Sequence, residues 1–362
     1  MAYREERRPD GLCVTGAESP PGRPPSYDYP WAVPETVRAR PVPLVNIALF
    51  LTTVLTTTLA GANNALGRPV NPLTEPAALL SGVPFAATLM AILLVHELGH
   101  YLMSRVHGVR ASLPYFIPGP PFLVGTFGAF IRMKSPPMNR RALFDVGAAG
   151  PWAGVLVAVP AVAIGLSLSE VRPLEPVEYG LLFGDSLLFS FLTRAVLGAS
   201  PDEVTIVLHP VALAGWIGLF VTFLNLIPVG QLDGGHVSYS LFGRLHRWPA
   251  RAFLLVIFLL GLQGWRGWFL WTILLIVLGV DHPPTLDRTT PLDPMRRLAA
   301  WATLVLFVVT FIPVPFALEL PAETGPPPPL FDGPLTPTGL VLPGPWDAAA
   351  PGIVTRLGLA VC

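Results

Sequence analysis

Long apolar runs, separated by short stretches rich in arginine and proline, set the pattern of this chain. An apolar helix of about 20 residues crosses the hydrocarbon core of a bilayer. That rule predicts spans at about 44–60, 84–105, 143–168, 209–227, 250–263, 265–280 and 298–318. The fifth and sixth form a hairpin through the Gly264-Trp265-Arg266-Gly267 turn, and the fifth is short. The predicted fold is therefore an all-α polytopic membrane bundle of about six to seven transmembrane helices. Gly125-Thr126-Phe127-Gly128-Ala129-Phe130-Ile131 interrupts the helical pattern. It is β-prone and glycine-punctuated, and predicts a short β-hairpin-like segment near the end of the second span.

The flanks read differently. Residues 1–42 are polar and proline-rich and carry no apolar run, so they predict a disordered cytoplasmic tail rather than a signal peptide. Residues 43–318 form the predicted membrane-embedded core, and 319–362 a second disordered tail rich in Pro and Gly. Charged residues are 13% of the chain and hydrophobic ones 52%, against roughly 25% charge in soluble proteins. A net charge of zero gives no reason to expect nucleic acid as a partner. The only cysteines, Cys13 and Cys362, lie in the tails, which argues against a disulfide framework or a thiolate metal site.

Charge along the loops orients the bundle. Residues 101–142 hold Arg105, Arg110, Arg132, Lys134, Arg140 and Arg141 with no acid, whereas 169–207 are dominated by acids such as Glu170, Glu175, Asp185 and Asp202. Excess Lys and Arg marks the cytoplasmic side. The basic stretches around Arg244–Arg251 and Arg288–Arg297 fall on the same side if the N-terminus is cytoplasmic.

The chemistry sits in the second span, at His96-Glu97-Leu98-Gly99-His100. Helix positions i and i+4 share a face, so His96 and His100 can bind one Zn²⁺ while Glu97 takes a proton from a water activated there. Ionisable groups inside a membrane helix point to function; the plainer alternative is a polar helix end that snorkels to the interface. A hydrolytic zinc site needs a third protein ligand. The fourth span ends in Asn225-Leu226-Ile227-Pro228-Val229-Gly230-Gln231-Leu232-Asp233-Gly234-Gly235-His236 and emerges on the same side, so Asp233 can reach the depth of the histidines. Pro228 and Gly230 break the helix, and irregular backbone at membrane depth is tolerated only when buried in protein or lining a wet cavity.

These two motifs together resemble the site-2 protease family of intramembrane zinc metalloproteases (the peptidase M50 type). Pro114-Tyr115-Phe116-Ile117-Pro118, Gly125–Ala129 and Ala149-Gly150-Pro151-Trp152-Ala153-Gly154 are similar to its PDZ-free branch, found in bacteria and plastids. The loops between spans, about 37 and 40 residues, are shorter than the ~50 residues of an independent domain. The resemblance implies one Zn²⁺ per chain held by His96, His100 and Asp233, with Glu97 as general base. It further implies that Asn225 contacts the substrate backbone or the developing oxyanion. The implied reaction is hydrolysis of peptide bonds within or next to transmembrane segments of membrane-anchored proteins, such as tethered transcription or anti-sigma regulators. The implied location is the bacterial cytoplasmic membrane, with the site facing the cytoplasm. The alternative is a non-hydrolytic metal-binding membrane protein, a transporter or an inactive protease-like binder. A transporter is expected to distribute ionisable groups along a path, and here they gather at one depth.

Other residues carry less. The 125–131 segment is either an ordinary hairpin against the bundle or an edge strand that holds an unwound substrate. Gly150 and Gly154 form GxxxG, a close helix contact. Asp145 reads as a structural partner of Arg140 or Arg141. His209 lies on the far side of the membrane; His236 and His282 share the side of the motifs, and each reads either as a neighbour supporting the metal ligands or, more simply, as a solvated interfacial histidine. Trp248, Trp265 and Trp268 fit an interfacial belt.

Overall fold

The computed structural model describes residues 43–173, 180–199, 204–319 and 354–355. The tail at 1–42 and most of that at 319–362 lie outside them. Among the described residues the architecture is a helical bundle with three small sheets: α1 (Leu44–Leu66), α2 (Val83–Val106), β1 (Tyr115–Pro118), β2 (Thr126–Phe130), α3 (Arg140–Ser167), β3 (Glu170–Pro173), β4 (Gly180–Phe183), α4 (Leu187–Leu197), β5 (Val204–Val207), α5 (Pro210–Asn225), α6 (Asp233–Phe242), α7 (Arg247–Gln263), α8 (Gly267–Leu278), α9 (Pro294–Thr310), β6 (Phe316–Glu319) and β7 (Val354–Thr355).

Among the described residues, four helical stretches are long and apolar enough to cross a membrane: Leu44–Leu66, Pro76–Val106, Arg140–Ser167 and Asp233–Gln263. The six to seven spans read from the sequence are not all reproduced. Helix α5, with 16 residues, and α8, with 12, are apolar but short. At 1.5 Å per residue α5 is only ~24 Å long. It is the central helix, packed against α2, α3 and α9, so its length need not match the lipid around it. The predicted span at 250–263 is the end of a longer, broken run in which α6 leads into α7.

Local sequence explains the helix starts. Asn139 caps α3 by accepting from the Ala142 N–H at 3.0 Å, and Asp293 caps α9 by accepting from the Arg296 N–H at 3.1 Å, with Pro294 following. The acidic stretch 169–207, read as loop, instead builds α4 and the strands β3, β4 and β5. β3 pairs antiparallel with β5, which also pairs with β7, and β4 pairs with β6. The bundle is therefore not purely α-helical.

The core follows from one stripe. Phe85, Leu89 and Ile92 of α2 are buried at helical spacing against Val155, Ala158 and Val162 of α3 and Ala212, Trp216 and Leu219 of α5. Leu51 and Leu55 of α1, Leu259 and Leu262 of α7, and Ile273 and Val277 of α8 are exposed. Outward apolar faces on that scale belong in lipid, since soluble monomers rarely expose such patches. Trp268, read as interfacial, is fully buried, and its indole N–H donates to the Pro313 carbonyl at 2.7 Å.

Candidate metal centre

The α2 stripe continues past Ile92 into His96 and His100, so the face that is core in the first half of the helix turns polar in the second. Both rings are buried, as is Glu97. α3 crosses directly over them. A Cβ at Gly150 would fall onto the His100 imidazole, and one at Gly154 would lie 3.1 Å from His96 Nδ1. The GxxxG pair thus gives the two rings their space. The His100 Nδ1–H donates to the Val146 carbonyl of α3 at 2.7 Å. A carbonyl cannot donate, so this bond leaves the Nε2 lone pair of His100 facing inward.

Asp233 arrives from the chain break after α5. The helix ends at Asn225, turns through Pro228 and Gly230, and restarts at Asp233 in the first turn of α6. The positive end of the helix dipole favours a carboxylate there. A side chain at Gly234 would strike the Leu226 carbonyl, so the tight return of the chain requires glycine.

The structure brings His96, His100 and Asp233 together. His96 Nε2 and His100 Nε2 lie 3.1 Å apart, and Asp233 Oδ2 lies 3.4 and 3.2 Å from them. Tetrahedral bonds of about 2.0–2.1 Å subtend ligand–ligand edges of roughly 3.3–3.4 Å. The three atoms therefore form a triangle of the size of one face of a zinc tetrahedron. The donors are of the type zinc takes, and the residues present fit the ion. Two imidazole nitrogens and a carboxylate oxygen converging at this distance form a donor set that a shared cation holds together, which makes them a candidate metal site.

A cavity of about 380 Å³ opens on this triangle. Glu97 lines it beside His96, close to the Ile131 backbone N–H just beyond β2. Asn225 also lines it, with Nδ2 3.3 Å from His96 Nε2. The stretch Ala129–Met133 lines it as well. β1 and β2 pair antiparallel from Tyr115↔Phe130 to Pro118↔Thr126, in a two-stranded sheet among the described residues, so the hairpin predicted near this end of α2 is present and its second strand contributes to the cavity lining.

Three readings of individual residues change. Asp145 does not pair with Arg140 or Arg141; it binds Arg296 through bonds of 2.7–3.1 Å and His107 at 2.7 Å. Arg140 and Arg141 instead donate to the Arg288 and Pro291 carbonyls. His236 and His282 are not solvated: both are buried and hydrogen-bonded to each other, and His236 lines the cavity. No sequence signal distinguished them, because each depends on a neighbour 46 residues away.

Two buried histidines and a half-buried carboxylate in one triangle, with a second carboxylate beside it inside a helical membrane bundle, define the class of membrane-embedded metal-site proteins. Comparison with known proteins narrows this further. Residues 84–262 match Peptidase family M50, and the chain carries a domain of that family. It is homologous to proteins described as "Probable zinc metalloprotease EGY1, chloroplastic". The Arabidopsis thaliana protein is 34% identical over 244 residues, covering 65% of this chain and 43% of that protein. The Oryza sativa subsp. japonica protein is 34% identical over 258 residues, covering 69% and 44%. "Probable zinc metalloprotease EGY2, chloroplastic" of Arabidopsis thaliana is 33% identical over 243 residues, covering 66% and 43%. The chain thus spans less than half the length of these relatives.

Proposed function

We propose that the chain is a zinc metalloprotease of the site-2 type that hydrolyses peptide bonds within or next to transmembrane segments of membrane-anchored proteins. The observation that carries this is the His96–His100–Asp233 triangle with Glu97 on the same cavity. The M50 domain and relatives described as zinc metalloproteases support it. His96, His100 and Asp233 would hold the ion, and zinc in such a set supplies Lewis acidity towards a water and a carbonyl oxygen. Glu97 accepts the proton of the attacking water and can return it to the leaving amine. The Asn225 amide donates a hydrogen bond to the carbonyl oxygen as negative charge develops on it. A helical substrate has no free backbone groups, so it must unwind; the open edge of the β1–β2 sheet offers partners to the extended chain.

In this reading the substrates are regulators tethered to the bilayer, such as transcription or anti-sigma factors, and the site faces the cytoplasm because the basic loops flank it. Relatives described as chloroplastic do not support a bacterial cytoplasmic membrane, so membrane embedding is retained without that assignment. Glu97→Gln tests the reading. Purified in detergent, this variant should keep about one zinc per chain by elemental analysis and lose ~10²–10⁴-fold in cleavage of a membrane-segment peptide. Cleavage at the unaltered rate would remove Glu97 from the chemistry.

A further inference from the structure

Three buried histidines outside the metal triangle form a chain whose proton positions are determined by geometry. His246 Nδ1 lies 2.8 Å from the Gly243 carbonyl, so it carries the proton and leaves Nε2 as an acceptor. That Nε2 accepts the backbone N–H of His282 at 2.9 Å. His282 Nδ1 lies 2.5 Å from the Pro283 carbonyl and by the same logic carries a proton, leaving its Nε2 bare. His236 Nδ1 lies 2.7 Å from that Nε2, so His236 must donate from Nδ1. Its own Nε2 is then a lone pair with no protein partner among the described residues. Tyr239, one turn away on α6, stacks on the His282 ring with centroids 4.7 Å apart and holds it in register.

The orientation of His236 gives that lone pair a place to act. The residue is 6% exposed, and it lines the cavity together with Glu97, Asn225 and Asp233. Its ring nitrogens are outside the set of mutually close ligand atoms formed by His96, His100 and Asp233, so it is not a fourth member of the metal triangle. Glu97 is committed to the attacking water in the reading above. Another acceptor on this wall is useful for one reason: an extended peptide brought into a cavity at membrane depth loses water from its N–H groups, and an unpaired buried amide costs several kcal/mol. β2 and α6 both contribute residues to this cavity, so an acceptor on α6 adds a partner to those the strand offers.

We propose that His236 is a substrate-binding residue whose Nε2 accepts a backbone N–H of the bound peptide, and that His282 and His246 are positioning residues that hold it in the accepting tautomer. This deepens the protease reading and rests on it for the identity of the ligand. The test separates the two by reading binding rather than cleavage. In zinc-loaded Glu97→Gln protein, the Kd is measured for a synthetic apolar peptide of about 20 residues with a central Asn-Pro break, and for analogues in which one backbone N–H at a time is replaced by an ester oxygen. One ester should weaken binding about 10-fold, the scale of one hydrogen bond. Adding His236→Leu should weaken the parent peptide similarly and abolish the penalty of that one ester. His236→Gln, whose side-chain oxygen can stand near Nε2, should restore it; His282→Gln should keep the penalty and His282→Leu reduce it. Zinc content should stay near one in every variant. Equal ester penalties with and without His236, no measurable binding, or loss of zinc in His236→Leu would overturn the proposal. Tight, ester-sensitive binding by a wild-type protein that never cuts the peptide would instead count against the protease reading alone.

Discussion

Asp233 joins the histidines from 133 positions beyond His100, and its removal separates metal binding from metal-independent folding. Loss of a residue that merely orients a ligand costs ~10–100-fold in metal affinity, so loss of a ligand should cost at least that much. Asp233→Ala is expected to lower zinc affinity by about 100-fold or more in competition with a chelator. Asp145→Ala should leave zinc in place, because its carboxylate is engaged by Arg296 and His107. It should instead lower the melting temperature, on the scale of about 2 kcal/mol for charge-assisted hydrogen bonds. Zinc loss in Asp145→Ala with zinc retained in Asp233→Ala would reverse the assignment. His96, Glu97 and His100 were legible because their spacing is local and a helix converts it directly into geometry. The partners of Asp145 were not, because Arg296 reaches it from α9 across 151 positions while Arg140 and Arg141, nearer in sequence, face another loop.

At the scale of elements, the closeness of α2 and α3 controls the site. Gly150→Ala places a methyl group on the His100 ring. Backbone cannot yield there without moving α3, so the imidazole should move instead. Zinc affinity is expected to fall ~10-fold or more while the helix content by circular dichroism stays unchanged; unaltered zinc affinity would show that the helices separate freely. The GxxxG spacing pointed to a close contact, yet which helix it meets is a tertiary fact. The break after α5 was equally visible from Pro228 and Gly230. That α6 begins at Asp233 was not, since Asp-Gly-Gly is poor helix material and packing against α3 overrides the local preference.

For the whole molecule, the orientation and the acid limit of stability are both testable. In a cysteine-free background, Lys134→Cys lies in the basic stretch and Ala195→Cys on α4, both exposed. In intact expressing cells an impermeant thiol reagent should label Ala195→Cys and not Lys134→Cys; the opposite pattern would invert the topology. His282, between α8 and α9, is held neutral by burial and by the neighbouring His236, which push its pKa down to about 3. The unfolded value is about 6.5, so between these limits the unfolded chain binds a proton that the folded chain refuses. The stability contributed by this group is complete above about pH 6.5 and is lost as pH falls towards 3. His282→Gln should melt with a shallower pH dependence across that window, and an unchanged slope would assign the acid sensitivity elsewhere.

By itself the sequence determined the helical, apolar character of the chain, the shared helix face of the His-Glu-x-x-His pair, and the break that carries Asp233. Each of these follows from periodicity or backbone chemistry within one or two turns. Only the tertiary structure decided that α5 is a short central helix, that the acidic stretch folds into strands, and that His236, His246 and His282 form a buried chain beside the cavity. Those features depend on contacts between segments distant in sequence. A histidine reads the same in a string of residues whether it faces water or another imidazole; only the packing around it chooses which nitrogen keeps the proton.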